Sequence, residues 1–249
     1  MQKNKIFGIK PVIEALRAGS PVKSVLIAEQ RKSDRDVREI IQLARGSGIE
    51  VRMTTRDALN REAPNVLHQG VLAVVTAREY ASLDDILKIP AEKNQSPLFL
   101  VLDGVEDPRN LGAILRTAEV TGVHGVIIPE RRAAGLTETA AKTAAGAVEY
   151  VPVVKVVNIV NTLEDLKKCG IWIAGADAGG DMVYWDADFI RPTAIILGGE
   201  GKGIRRLVRE HCDYLVSLPL MGRINSLNVS VASGVLLYEA LRQRRGKNE

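Results

Sequence analysis

"SLNVSVASGVLLYEAL", residues 226–241, decides how this chain is read. Its second half is apolar with helical spacing. Its first half alternates Ser226, Asn228 and Ser230 with Leu227, Val229 and Val231. Alternation favours a strand, whereas small polar residues favour a helix N-terminus. One cap uses one such side chain, so the surplus hydroxyl and amide groups must bond something else. A strand ends near Leu218-Pro219, and the chain then enters the helix through Asn225, Ser226 and Asn228. The expectation is a strand-to-helix junction in an α/β domain, with Ser226 capping the helix while it bonds a ligand.

Two earlier stretches have the same character. In DGVEDPRNLGAILRTAE, 103–119, a strand ends at Asp103 and Asn110 stands where an N-cap belongs. Leu111, Ile114, Leu115 and Ala118 then share a helix face, and Arg116 points away from it. Gly112, one turn earlier, is expected to leave space above the backbone. A long cation beside such a patch suits bidentate binding of a phosphate or carboxylate. A plain cap and a solvated arginine paired with Glu119 are the simpler alternatives. In IILGGEGKGI, 195–204, four glycines surround Glu200 after a strand. This is neither a Walker A loop, because Gly203 follows Lys202, nor a dinucleotide fingerprint. It fits a backbone approaching a ligand, or a tight turn before a helix at 204–210. The three loops put amide, hydroxyl, carboxylate and guanidinium groups at strand ends, where α/β folds bind ligands.

The remaining pattern divides the chain. Residues 1–77 read as a small α/β domain, with helices at 9–18 and 34–45 and strands at 24–28, 49–53 and 71–76. Residues 78–97 read as a linker around a short helix at 82–88, its best candidate the proline-bounded PAEKNQSP. Residues 98–249 read as a parallel-sheet domain, with strands at 98–102, 124–128, 151–156, 171–175, 194–198 and 214–218. Of the 34 Lys+Arg and 30 Asp+Glu, residues 1–80 hold 14 and 9. A basic front piece on a near-neutral body suits a polyanion. Cys169 and Cys212 form no C-x-x-C pair, and three scattered histidines give no metal-ligand spacing. The stretch MQKNKIFGIKP lacks a signal-peptide core, so a cytoplasmic protein with reduced thiols is expected. No run approaches the ~18 apolar residues of a membrane span.

Asn110 and Arg116 in DPRNLGAILRTAE, Glu200 in LGGEGKG, and Ser226 and Asn228 in INSLNVSVASG resemble, in this order, the three motifs of the SpoU (TrmH-like) branch of the SPOUT RNA methyltransferases. FGIKPVIEAL and HQGVLAVV resemble the small substrate-binding domain of its RlmB-like subgroup, which methylates a guanosine ribose in 23S rRNA; TAAKTAAGAVEYVPV resembles that subgroup as well. The resemblance implies a deep trefoil knot in the C-terminal domain, where sequence rules alone favour an unknotted doubly wound sheet. It implies S-adenosylmethionine (AdoMet) as cofactor, at Gly198, Gly199, Leu218, Ser226 and Leu227. It implies catalytic roles for Asn110, Arg116, Glu200, Ser226 and Asn228, with no metal. It further implies 23S rRNA as partner and a homodimer formed through the C-terminal domain. A guanidinium, which stays protonated in neutral water, suits a phosphate clamp and alkoxide stabiliser better than a base. The other readings are a tRNA ribose methyltransferase, an antibiotic-resistance rRNA methyltransferase, and a non-catalytic RNA-binding or assembly factor; the complete motif set argues against the last.

Overall fold

The computed structural model describes all residues except 1–3, 18, 65, 76–78, 202 and 246–249. The chain divides into two compact units, Met1–Glu79 and Tyr80–Glu249. The boundary expected at 77/78 itself lies outside the described residues.

The front unit is a four-stranded sheet in the order β1-β4-β2-β3: β1 (Asn4–Phe7), β2 (Val22–Ala28), β3 (Glu50–Thr54) and β4 (Val71–Val75). β4 runs antiparallel to both β1 and β2, while β2 and β3 are parallel. α1 (Ile9–Arg17) and α2 (Arg35–Gly46) bury Val12, Ala15, Leu16, Val37, Ile40 and Ala44 on one face. α3 (Arg56–Glu62) buries Leu59 on the other, against Ala28 and Leu72.

Residues 80–97, expected within a linker, instead build the second unit. Ser82 and Asp85 form a reciprocal capping box that starts α4 (Leu83–Glu92), and Ala81 bridges Val154. Pro90 lies inside the last turn of α4 and is buried. Ile86 is also buried, so the segment is core.

The second unit is a seven-stranded, all-parallel sheet in the order β7-β6-β5-β10-β8-β11-β9. The strands are β5 (Leu98–Asp103), β6 (Gly125–Pro129), β7 (Val153–Val156), β8 (Trp172–Ala176), β9 (Met182–Val183), β10 (Thr193–Gly198) and β11 (Tyr214–Ser217). All six residues of β5 are buried, as a parallel strand covered on both faces requires. Leu98, Leu100 and Leu102 pack towards α5 (Pro108–Val120), α6 (Glu138–Thr143) and α9 (Val229–Arg245). Phe99 and Val101 pack towards α4, α7 (Ile159–Lys168) and α8 (Arg206–Glu210). β10 enters late, between β5 and β8, and its register sets Gly198 beside Asp103.

His124 ties the start of this sheet together. Its Nδ1 accepts from the Leu98 N–H at 3.1 Å, and its Nε2 donates to Gln95 Oε1 at 3.0 Å. Both nitrogens are thus used by the neutral ring. With the residue 2% exposed, burial, reinforced by Lys93 and Arg244, lowers its pKa from 6.5 to about 4. As pH falls below 6.5, the unfolded chain protonates first, so stability drops until the folded ring also titrates near pH 4. The expected loss across that window is about 2–3 kcal/mol. Urea unfolding at stepped pH measures it, and His124→Gln flattens that part of the slope.

A candidate active site at the carboxyl ends of the strands

Asp103 anchors the site. Its side chain is fully buried at the end of β5. Its two oxygens accept from the Arg205 backbone N–H at 2.8 Å and from Arg205 Nε at 2.6 Å. The Gly199 N–H donates to the Asp103 carbonyl at 2.9 Å. These bonds draw the loop after β10 onto the end of β5. Glycine makes the approach possible: a Cβ on Gly199 would lie 2.0 Å from the Gly104 carbonyl oxygen, and one on Gly198 would lie 1.9 Å from the Gly203 carbonyl carbon. Gly201 and Gly203 have φ of +79° and +61°, which closes the turn. The glycines therefore serve first a close passage of the chain against itself.

On the neighbouring helix the cap is Asp107, not the expected Asn110. Its carboxylate accepts from the Arg109 N–H at 2.7 Å, and Pro108 occupies the first helical position. Asn110 is left in the first turn with its amide free to point at the other loops. Gly112 does not clear a patch for a ligand. α6 lies directly on it, and a Cβ there would meet the Ala140 carbonyl oxygen at 2.4 Å.

At α9 the cap is Asn228 rather than Ser226. Asn228 Oδ1 accepts from the Ser230 N–H at 2.9 Å and from Ser230 Oγ at 2.6 Å, and its carbonyl accepts from Ala232. With Oδ1 so engaged, Nδ2 faces outward and donates to Asn110 Oδ1 at 3.2 Å. The Asn110 Nδ2 then donates to Glu200 Oε1. A helix cap thus sets the direction of a relay, Asn228 to Asn110 to Glu200, across all three loops.

The relay borders a cleft of ≈ 540 Å³ at the ends of β8, β10 and β11. That size suits a small organic cofactor. Gly198, Gly199, Leu218, Ser226 and Leu227 line it, with Glu200 and Asn228. Its apolar wall includes Leu197, Val229 and Ala232. Ala176–Ala178 and Asn225 also line it; their lead residue, Asp177, follows a strand and precedes the turn glycines 179 and 180, a signal comparable to those used above. Arg116 is not in the lining. It is exposed, six residues past Asn110 and so about 9 Å further along α5. Its guanidinium has no hydrogen bond or ion pair among the described residues, so the alternative of a pair with Glu119 is not seen.

Among the described residues no three His, Cys, Asp or Glu side chains form a metal cluster, and no helix is long and apolar enough to cross a membrane. The profile of the "SpoU rRNA Methylase family" matches residues 97–238, and that of "RNA 2'-O ribose methyltransferase substrate binding" matches residues 5–81. The TrmH-family protein YacO of Bacillus subtilis is 44% identical over 248 residues, covering 100% of this chain and 99% of its own length. The crystal structure of the SpoU methyltransferase AviRb from Streptomyces viridochromogenes with AdoMet superposes with a TM-score of 0.66 at 30% identity, over 98% of this chain and 91% of that one. The TrmH/SpoU tRNA modifying enzyme of A. aeolicus matches with a TM-score of 0.57 at 32% identity, over 62% of this chain and 78% of its own. The all-parallel sheet with its late central strand is typical of the knotted SPOUT fold. The chain belongs to the SpoU rRNA methylase family, and is an AdoMet-dependent RNA ribose 2′-O-methyltransferase with an RNA-binding front unit.

Proposed function

We propose that this enzyme methylates the ribose 2′-oxygen of a guanosine in large-subunit 23S rRNA, as a cytoplasmic homodimer of the RlmB-like subgroup. The observation that carries the site assignment is the Asn228–Asn110–Glu200 relay at the rim of the cleft. It joins the three motifs into one directed set of polar groups beside a cofactor-sized space.

AdoMet, when bound, supplies a methyl group carried on a sulfonium. The cleft residues fit it: leucines and Val229 give apolar walls, Gly198 and Gly199 bring backbone close, and the carboxylates complement a cation. The chain's own work lies on the sugar. A hydroxyl is a poor nucleophile until its proton is leaving, so orientation and proton removal must coincide. Asn110 and Asn228, locked by the cap of α9, orient the ribose. Glu200 spends Oε1 on Asn110 and offers Oε2 to the departing proton. A carboxylate is far less basic than an alkoxide, so that proton moves only as the oxygen–carbon bond forms. Ser226 holds the cofactor side. Arg116 clamps a neighbouring phosphate and stabilises the developing oxyanion.

Arg116 stands off the cleft of its own chain, which supports a second subunit supplying it. A suitable apolar face lies on the same unit: Met221 is 99% exposed and Ile224 76%, with Val231 and Tyr238 two turns apart on α9. The rRNA reading is supported by the front unit, which matches a substrate-binding model over residues 5–81, whereas the A. aeolicus tRNA modifying enzyme covers 62% of this chain. The test is transfer of labelled methyl groups to unmodified 23S rRNA and tRNA, followed by mapping. Label on a 23S ribose is expected. Label confined to tRNA would select the alternative substrate, and label on a base would refute the chemistry.

A further inference from the structure

The described lining of the cleft is uneven in charge: it holds two carboxylates, Asp177 and Glu200, and no lysine or arginine. The two are engaged differently. Glu200 Oε1 belongs to the asparagine relay. Asp177 lies on the other wall, at the end of β8, with its side chain 21% exposed. Its place is rigid. The Asp177 N–H donates to the Val216 carbonyl at 3.0 Å, its own carbonyl accepts from the Gly180 N–H at 3.0 Å, and Oδ1 accepts from the Gly179 N–H at 2.9 Å. A Cβ on Gly180 would strike the backbone of residues 215–217, so this turn is held against β11. Oδ2 makes no hydrogen bond among the described residues and is ion-paired at 3.6 Å with Nε of the half-exposed Arg209. A fixed, partly desolvated carboxylate therefore lines the cofactor space, with Oδ2 engaged only by a half-exposed arginine at 3.6 Å.

Resting on the cofactor reading above, we propose that Asp177 is the residue by which the cleft distinguishes the charged sulfonium cofactor from the neutral thioether product. Methyl transfer moves CH3 from sulfur to oxygen; the carbon–sulfur bond breaks, its electron pair stays on sulfur, and the ligand loses one positive charge. A stationary carboxylate attracts the ligand before that event more than after it. It thus favours loading of AdoMet and release of S-adenosylhomocysteine. Glu200, tied to the substrate side, takes the proton and Asp177 selects.

The experiment is calorimetric titration of wild-type and Asp177→Asn protein with AdoMet, S-adenosylhomocysteine and sinefungin, whose amine keeps a cation in place of the sulfonium. Asn preserves the shape and removes the charge. AdoMet and sinefungin are expected to weaken about tenfold in the variant, as loss of one attraction between unit charges at an effective dielectric near 20 allows, and the thioether less than twofold. The wild-type preference should also shrink as salt rises from 50 to 500 mM, while the variant's stays flat. Equal weakening of all three ligands, or an unchanged ratio, would overturn the selective role while leaving the cofactor reading intact. Wild-type protein that binds none of them would instead overturn the cofactor reading.

Discussion

Arg116→Ala should leave the protein folded and able to bind AdoMet, and should slow methyl transfer at least a hundredfold. Stability is spared because this guanidinium does nothing for its own fold: it is exposed, points away from the buried face of α5, and has no partner among the described residues. Surface truncations of that kind change stability by no more than about 0.5 kcal/mol. Activity is lost because an electrostatic stabiliser of a developing oxyanion contributes roughly 10²–10³ in rate. Lysine keeps the charge but not the planar fork, so Arg116→Lys should recover only part of it. Coexpression adds a geometric check. If Arg116 serves the partner's cleft, mixed dimers of Arg116→Ala and Glu200→Gln chains each regain one intact site. Random pairing then restores roughly a quarter of wild-type activity from two inactive parents. No recovery would mean that the arginine acts within its own chain. An active Arg116→Ala enzyme would remove this residue from the mechanism.

The core of the second unit is readable because burial on both faces leaves a plain signature. LFLVL and AIIL are uninterrupted apolar runs, and the structure makes each part of a strand covered end to end or nearly so. β1 is four residues, NKIF, with two polar among them, and β9 is two residues; neither carries a periodic signal. The helix expected at 82–88 is α4, and only its continuation to Glu92 is hidden, by Pro90, which reads as a stop yet fits inside the last turn. The site residues are legible as types, but which of them caps and which acts is not. Asp107-Pro108 takes the cap of α5 and frees Asn110; Asn228 takes the cap of α9 and leaves Ser226 in the cleft. Local pattern offers several oxygens for one set of amides, and only packing decides among them. The Asp103–Arg205 pair is out of reach of such reading, since the partners are 102 residues apart in sequence and meet only through the β5–β10 register.

Gly199→Ala should be among the most damaging small substitutions in the second unit. The added Cβ would lie 2.0 Å from the Gly104 carbonyl oxygen and 2.7 Å from its carbon. Both are backbone atoms, so no side chain can rotate out of the way. Either the loop after β5 or the loop after β10 must shift by about an ångström, breaking the Gly199 N–H bond to the Asp103 carbonyl. Overpacking of this sort costs about 3 kcal/mol or more, equivalent to roughly 6–12 °C in Tm for a chain of this size. The functional loss should exceed the thermal one, because Glu200 follows directly and its place opposite Asn110 depends on the same loop. AdoMet affinity is expected to fall more than tenfold even at temperatures where the variant is fully folded. Gly222→Ala is the matched control. It also sits in a loop after a strand of this unit, but a Cβ there has nothing within 4 Å. Its melting curve and AdoMet affinity should overlay those of the wild type. A Gly199→Ala protein that melts with the control and binds cofactor normally would mean that the loops after β5 and β10 are not pressed together, and that the cleft owes its shape to something else.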